Sequence, residues 1–142
     1  MKFIHSLLLM IVVSPTYSAT AADEPAYLAY RSDFVQQVYS SVLIGFAFER
    51  KCNFLTKSDQ ANYEKHLNFS TEIFQGYVLA KDMVRNSDEA LRYPRDMALG
   101  TKRFSDKSTC DSVAKKRVHT GFETAKNFMS LIERELRKEV SQ

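Results

Sequence analysis

The chain has few of the residues that interrupt regular secondary structure, with four glycines and three prolines among 142 positions. Disordered chains are usually rich in both residues, and a β-sandwich needs them at its many turns. Their scarcity therefore argues against both of these classes. An all-α domain is the fold class that this composition favours.

An excess of charge of either sign is also lacking. The chain has 20 lysines and arginines against 17 acidic residues, a formal net charge of +3, and no segment concentrates the basic residues strongly. Proteins that bind nucleic acids or anionic membranes usually carry a basic patch or stripe. We therefore expect no nucleic-acid partner and no docking on membranes through basic residues.

The motifs of common catalytic and cofactor chemistry are missing as well. The sequence has no C-x-x-C-H for covalent haem, no C-x-x-C redox pair and no G-x-S-x-G nucleophile. Beyond the first residues its histidines are His66 and His119, and neither follows a glutamate by three residues, as di-iron bundles require. We interpret both as surface or core-edge residues and expect no metal, no cofactor and no enzymatic activity.

Residues 1–21 have the features of a secretory signal peptide. Lys2 supplies the positive start, residues 3–13 form an apolar run, and residues 19–21 form a small-x-small cleavage site. The apolar run is shorter than the roughly 20 residues that span a bilayer, although an uncleaved anchor is an alternative. We predict export to the periplasm or secretion, one helical domain over residues 22–142, and no transmembrane segment after cleavage.

Two cysteines, Cys52 and Cys110, are predicted to form a disulfide, which is the usual state of a cysteine pair in an oxidising compartment. A metal site, a redox pair and an intermolecular bridge are alternatives, but the first two normally need closely spaced ligands. In the chain-entropy treatment, a bridge across a loop this long contributes about 4 kcal/mol to stability.

Hydrophobic periodicity divides the mature chain into four helical segments. We predict a first helix over Pro25–Cys52, with an interruption near Ser32 as an alternative. The second helix is predicted to begin after a cap at Thr56 and to end near Arg85. The apolar residues of the second helix lie on one face and its charged residues on the opposite face, as in an ordinary amphipathic helix.

The third segment is predicted to be short and broken. Asn86 caps it, Pro94 interrupts it, Gly100 stops it, and residues 101–109 form a polar loop. Ser108, with an acidic residue three positions later, is predicted to cap the fourth helix. The predicted apolar face of that helix consists of Cys110, Val113, Val118, Phe122, Ala125, Met129, Ile132, Leu136 and Val140.

Short loops place consecutive helices antiparallel, so the end of the first helix and the start of the fourth lie at the same end of a bundle. Cys52 and Cys110 occupy these two positions and can therefore meet. The predicted fold is an all-α, up-down four-helix bundle with a short broken third helix and one disulfide.

Residues 34–55 form the most apolar stretch after the N-terminal run, and we expect them to be the central buried helix. Gly45 within it indicates a close approach by another helix, although a tolerated substitution is the alternative. Glu49 shares a helical face with Val42 and Phe46. A buried carboxylate there can signal function, but we favour a side chain that reaches solvent or pairs with a lysine or arginine.

The remaining candidate site is a surface in the third segment. Arginine and tyrosine are the residue types that most often anchor protein interfaces, although a solvated basic loop is the alternative. The predicted partner surface consists of Arg92, Tyr93, Arg95, Lys102, Arg103, Phe104 and Lys107.

These patterns favour a small exported, non-enzymatic helical protein that binds another protein in the envelope or outside the cell, as inhibitors, immunity proteins and accessory factors do. The first alternative is a periplasmic stress chaperone, which would expose apolar surface after an acid or redox change. An enzyme acting on an envelope polymer is the second, and it requires a pocket with convergent ionisable groups.

Overall fold

The computed structural model describes residues 25–141, and in this range four α-helices pack together, as predicted for an all-α domain. A 3-10 turn, Ala26–Ala29, precedes them, and the predicted signal peptide lies outside the described residues. No helix within residues 25–141 has the length and apolar character needed to cross a membrane. The helices are α1 (Ser32–Cys52), α2 (Lys57–Ala80), α3 (Ser87–Asp106) and α4 (Ser112–Val140).

The first predicted segment is interrupted where the alternative placed the break. The 3-10 turn ends at Ala29, Arg31 is extended, and α1 begins at Ser32 without a side-chain cap. At the other end α1 stops at Cys52 because Asn53 adopts the left-handed conformation, with φ 54°, and its N–H donates to the Glu49 carbonyl. The predicted end of this helix is confirmed.

The start of α2 follows its predicted cap, since the Thr56 hydroxyl oxygen accepts the Asp59 N–H at 3.1 Å. The helix ends at Ala80, earlier than the predicted end near Arg85. Asp82 lies just beyond it with φ 52°, a left-handed conformation that cannot continue a right-handed helix. The buried residues of this helix are Tyr63, Ser70, Phe74, Tyr77 and Val78.

The prediction of a broken third helix is wrong. The Asn86 side chain caps α3 as expected, by accepting the Glu89 N–H at 3.0 Å, but the helix then continues through Pro94 and Gly100 to Asp106. Proline removes one backbone hydrogen bond, yet Pro94 is buried in the packing of α3, which offsets that loss. Gly100 does not have positive φ, so it does not act as a helix-terminating residue.

The fourth helix begins later than its predicted cap, because Asp111 and not Ser108 accepts the Ala114 N–H, at 2.9 Å. Its buried face also differs from the predicted one: Val113 is 56% exposed and Val140 is 89% exposed. Ala114 and Gly121, two small residues of the buried face, were not counted in the apolar pattern. The face that is buried consists of Ala114, Val118, Gly121, Ala125, Phe128 and Ile132.

The central helix is α1, which contacts each of the other three helices. Its C-terminal end is joined to the segment before α4 by the predicted disulfide, Cys52–Cys110, with a Cα–Cα separation of 5.6 Å. At the opposite end of the bundle the Ala26 N–H donates to the Glu139 carboxylate. These contacts show that α1 and α4 run in opposite directions.

Candidate functional site

The predicted partner surface is divided into three parts because α3 is a continuous helix. Four of its basic residues project from the outward face of α3, its tyrosine faces the core, and its two last residues lie beside α4. We call the first part the outward face. It consists of Arg92, Arg95, Lys102 and Arg103, together with Leu91 and Leu99.

On the outward face, Leu91 and Leu99 are 59% and 47% exposed. They lie four residues before and four residues after Arg95, which places all three side chains along one side of the helix. The charges there are mixed, since Lys102 pairs with Asp106 at 2.7 Å. The outward face is thus a row of apolar and basic side chains on an ordered helix.

Tyr93 does not belong to this face. It is half-buried, it packs against the core cluster of α1, α2 and α3, and its ring stacks on Phe74 with centroids 5.7 Å apart. Its ring packs between α2 and α3, and a role for Tyr93 in binding a partner stays a prediction.

Phe104 and Lys107 line a cavity of about 390 Å³ at the disulfide end of the bundle. We call this cavity the Arg117 slot, because the Arg117 guanidinium lies 5.0 Å from the Phe104 ring centroid and 5.4 Å from that of Phe48. The two rings meet edge to face with centroids 5.9 Å apart. Cation–π contacts of this kind hold a guanidinium in place without using its N–H donors.

Beside the Arg117 slot, a groove of about 650 Å³ runs between α1 and α4. The slot and the groove share Val113 and Arg117, so together they form one continuous depression. Ile44 and Val113 supply apolar surface, and Lys116 and Arg117 supply positive charge at one end. We call the groove of about 650 Å³, without the Arg117 slot, the α1/α4 groove.

Glu49 is the buried carboxylate of the described chain, and it is 2% exposed. Its oxygens accept the backbone N–H of Phe54 at 3.0 Å, the N–H of Leu55 at 3.2 Å and the side-chain amide of Gln60 at 2.8 Å. The favoured prediction, a side chain that reaches solvent or a basic partner, is therefore wrong. The carboxylate instead fixes the connection between α1 and α2, and its lone pairs are occupied by donors.

Two buried tyrosines, Tyr63 and Tyr39, also have structural roles. The Tyr63 hydroxyl donates to the Val42 carbonyl at 2.9 Å, and burial, aided by the nearby Glu49 carboxylate, raises the pKa of Tyr63. Burial likewise raises the pKa of Tyr39, although its hydrogen bond with Thr71 opposes the shift. Both hydroxyl groups therefore stay protonated at ordinary pH.

His66 and His119 have different surroundings. His66 is half-buried with its Nδ1 atom 2.9 Å from the Met129 sulfur, whereas His119 is exposed. Burial is the main reason that the pKa of His66 is lowered, and Lys65 and Lys126 add to the effect. Among residues 25–141 no group of three or more His, Cys, Asp or Glu side chains is arranged to hold a metal ion.

A scan of protein-family models, a search of curated proteins and a search of solved structures each gave no match to this chain.

Sequence reasoning missed Arg117 and Lys51. Arg117 follows two lysines on the polar side of α4. In the sequence it therefore looks like any basic residue that is exposed to solvent. Lys51 donates to the carbonyl oxygens of Ser105 at 2.9 Å and Asp106 at 3.0 Å, and also to that of Ser108. No sequence signal reveals this tie between α1 and the end of α3, because the carbonyls become adjacent only in the folded chain.

Proposed function

We propose that this chain is a small exported, non-enzymatic protein that acts by binding another protein in the bacterial envelope or outside the cell, as an inhibitor, an immunity protein or an accessory factor does. The observation that carries the proposal is the outward face of α3, where Leu91 and Leu99 are exposed on either side of Arg95. The partner expected for such a face is a protein with an apolar surface and acidic side chains around it.

The residue types of the outward face, its unpaired arginines and its preformed backbone support protein binding. Leucine side chains gain about 25 cal/mol for each Å² of apolar surface removed from water, and arginine is among the residues that most often dominate interface energy. Arg92, Arg95 and Arg103 form no ion pair with another residue in the described part of the chain. The helix is also preformed, so binding does not require ordering of the backbone.

Export is supported by residues 1–21 of the sequence, and the Cys52–Cys110 disulfide suits an oxidising compartment. The non-enzymatic part of the proposal is supported by how the buried ionisable groups are used. Glu49 accepts three N–H groups at the α1–α2 connection, and Tyr63 bonds to a backbone carbonyl. Both groups are thus occupied with structural bonds.

The proposal is tested by affinity purification from the native envelope with a double variant, Leu91→Ser and Leu99→Ser. A second double variant, Leu79→Ser and Val140→Ser, removes exposed apolar side chains elsewhere and serves as the matched control. We expect one protein to co-purify with the wild type and with the control but to be lost with the α3 variant. With that partner purified, its affinity for the α3 variant should fall at least about tenfold.

Two results would contradict the proposal. One is that no protein is recovered above background from the native envelope. The other is a partner whose affinity is the same for the wild type and the α3 variant, since that partner would bind elsewhere on the chain.

A further inference from the structure

The α1/α4 groove carries positive charge. Its lining includes the cations Lys116 and Arg117 and, among the residues that the structure describes, no carboxylate. Neither cation forms an ion pair with any residue in the range 25–141. Asp111 is the acidic residue among the described residues that line the Arg117 slot, and its oxygens already accept the Ala114 N–H and the Thr109 hydroxyl. The groove therefore has unused positive charge at one end.

The Arg117 side chain is held in a position in which it can bind a planar anion. Its guanidinium lies against the rings of Phe48 and Phe104, and the side chain is half-buried. An arginine held in this way loses little freedom when it binds, and its forked N–H donors match both oxygens of a carboxylate. A carboxylate placed there would be the ion-pair partner that the described chain does not supply.

The other walls of the groove fit a polypeptide backbone. Gln37 and Ser40 on α1 face Thr120 on α4 across the groove, and all three carry uncharged hydrogen-bonding groups. Nearer the disulfide end of the groove, Ile44 and Val113 offer apolar surface, and Val113 is more than half exposed. An extended peptide presents this combination, since its N–H and C=O groups point to the sides and its side chains alternate between two faces.

The length of the groove sets the length of its ligand. From Gln37 to Ile44, α1 rises by about 10 Å at 1.5 Å per residue. An extended chain covers that distance in about three residues at 3.3 Å each. The Arg117 slot adds room for one more side chain beyond the groove.

We propose that the α1/α4 groove binds an extended segment of another protein, three to four residues long, with an apolar side chain on Ile44 and Val113 and a carboxylate on Arg117. This site is separate from the outward face of α3. The inference goes beyond the function proposed above, and each can fail without the other.

The probe that tests this inference is a blocked tetrapeptide, acetyl-Val-Asp-Leu-Glu-amide, added to the isotope-labelled, disulfide-bonded protein. Its matched control is acetyl-Val-Asn-Leu-Gln-amide, which has the same shape and no charge. A third titration uses inorganic phosphate. The readouts are the NMR shifts of the Arg117 Nε–H group and of the Ile44 and Val113 methyl groups.

We expect saturable shifts at all three groups with the acidic peptide and at least about tenfold weaker binding of the uncharged peptide. Arg117→Gln should abolish saturable binding. Thr120→Phe, at an exposed position, should block the groove without disturbing the core. Lys126→Gln is the control, because Lys126 lies on α4 beside Phe122 and outside the groove.

Three results would overturn the inference. The first is an absence of saturable shifts with the acidic peptide. The second is equal affinity for the charged and uncharged peptides, which would show that Arg117 does not pair with a carboxylate of the peptide. The third is phosphate binding as tight as peptide binding, which would show a site for a simple anion and not for a peptide.

Discussion

Gly45 of α1 and Gly121 of α4 face each other where the two helices cross, and a Cβ atom built on either glycine would lie 2.9 Å from the Cα atom of the other. The added Cβ atoms would also lie 2.7 Å from the Arg117 carbonyl oxygen and 2.8 Å from that of Ser41, respectively. Both would contact the Tyr63 hydroxyl as well. The central helix therefore meets α4 through backbone atoms, which confirms the close approach that Gly45 indicated.

The first prediction concerns this crossing. Gly45→Ala and Gly121→Ala should each lower the free energy of unfolding by about 3 kcal/mol, because the backbone carbonyls cannot move aside unless the helices separate. Gly100→Ala is the matched control, since a Cβ there meets no heavy atom within 4 Å. It should be neutral or stabilising by up to about 1 kcal/mol. Urea denaturation followed by circular dichroism measures all three, and equal stability of all the variants would contradict the packing described.

The second prediction concerns Glu49. Glu49→Gln should lower the free energy of unfolding by about 2–4 kcal/mol, because the new amide places a donor against the N–H groups of Phe54 and Leu55. Glu64→Gln provides the control at an exposed position that lines the same cavity of about 320 Å³. It should change stability by less than about 0.5 kcal/mol. If both variants unfold at the same urea concentration, the carboxylate of Glu49 has no structural role.

The third prediction concerns pH. The pKa of His66 is lowered in the folded protein, mainly by burial. Between this folded-state pKa and the unfolded-state pKa of about 6.5, the unfolded chain therefore binds more protons than the folded chain. The contribution of His66 to stability is therefore constant above pH of about 6.5 and falls as the pH drops through the folded pKa.

The test compares melting temperatures across this pH range for the wild type, for His66→Gln and for His119→Gln. The wild type and the exposed-site control, His119→Gln, should lose more stability on acidification than His66→Gln does. Parallel curves for all three proteins would show that His66 titrates with the same pKa in the folded and the unfolded chain.

The fourth prediction concerns the disulfide. Replacing Cys52 and Cys110 together by alanine should cost about 4 kcal/mol, because the unfolded chain is no longer constrained. Amide hydrogen exchange should quicken more over residues 93–109 than at the far ends of α1 and α4. Lys51, next to Cys52, holds the carbonyls at the end of α3, so loosening at the disulfide reaches that segment first. A uniform increase in exchange across the chain would show that the effect of the disulfide is not local.

Local signals predicted much of the fold. The caps at Thr56 and Asn86, the end of α1 at Cys52 and the pairing of the two cysteines all appear as predicted. Each depends on residues close in sequence or, for the disulfide, on the choice of partner in a chain with two cysteines. The all-α class follows in the same way from periodicity and composition.

Two of the wrong predictions concern the packing between helices. The chain continues as a helix through Pro94 because packing against its neighbours offsets a lost hydrogen bond. The buried face of α4 includes Gly121 and Ala114 in place of Val113 because small residues let α1 come close. Apolar periodicity rates residues by side-chain hydrophobicity, so it cannot identify an interface that depends on small size.

The sequence by itself determined the helical class, three of the helix ends and the disulfide, because these are set by backbone preferences and by a single pair of thiols. Only the tertiary structure decided that Glu49 is buried among N–H donors, that Tyr93 packs against the core and that Arg117 lies against two phenyl rings. The physical reason is that burial and the pairing of charges depend on residues far apart in the chain. Of the two proposed binding surfaces, the α1/α4 groove exists only once α1 and α4 have been brought together, whereas the outward face lies on α3 alone.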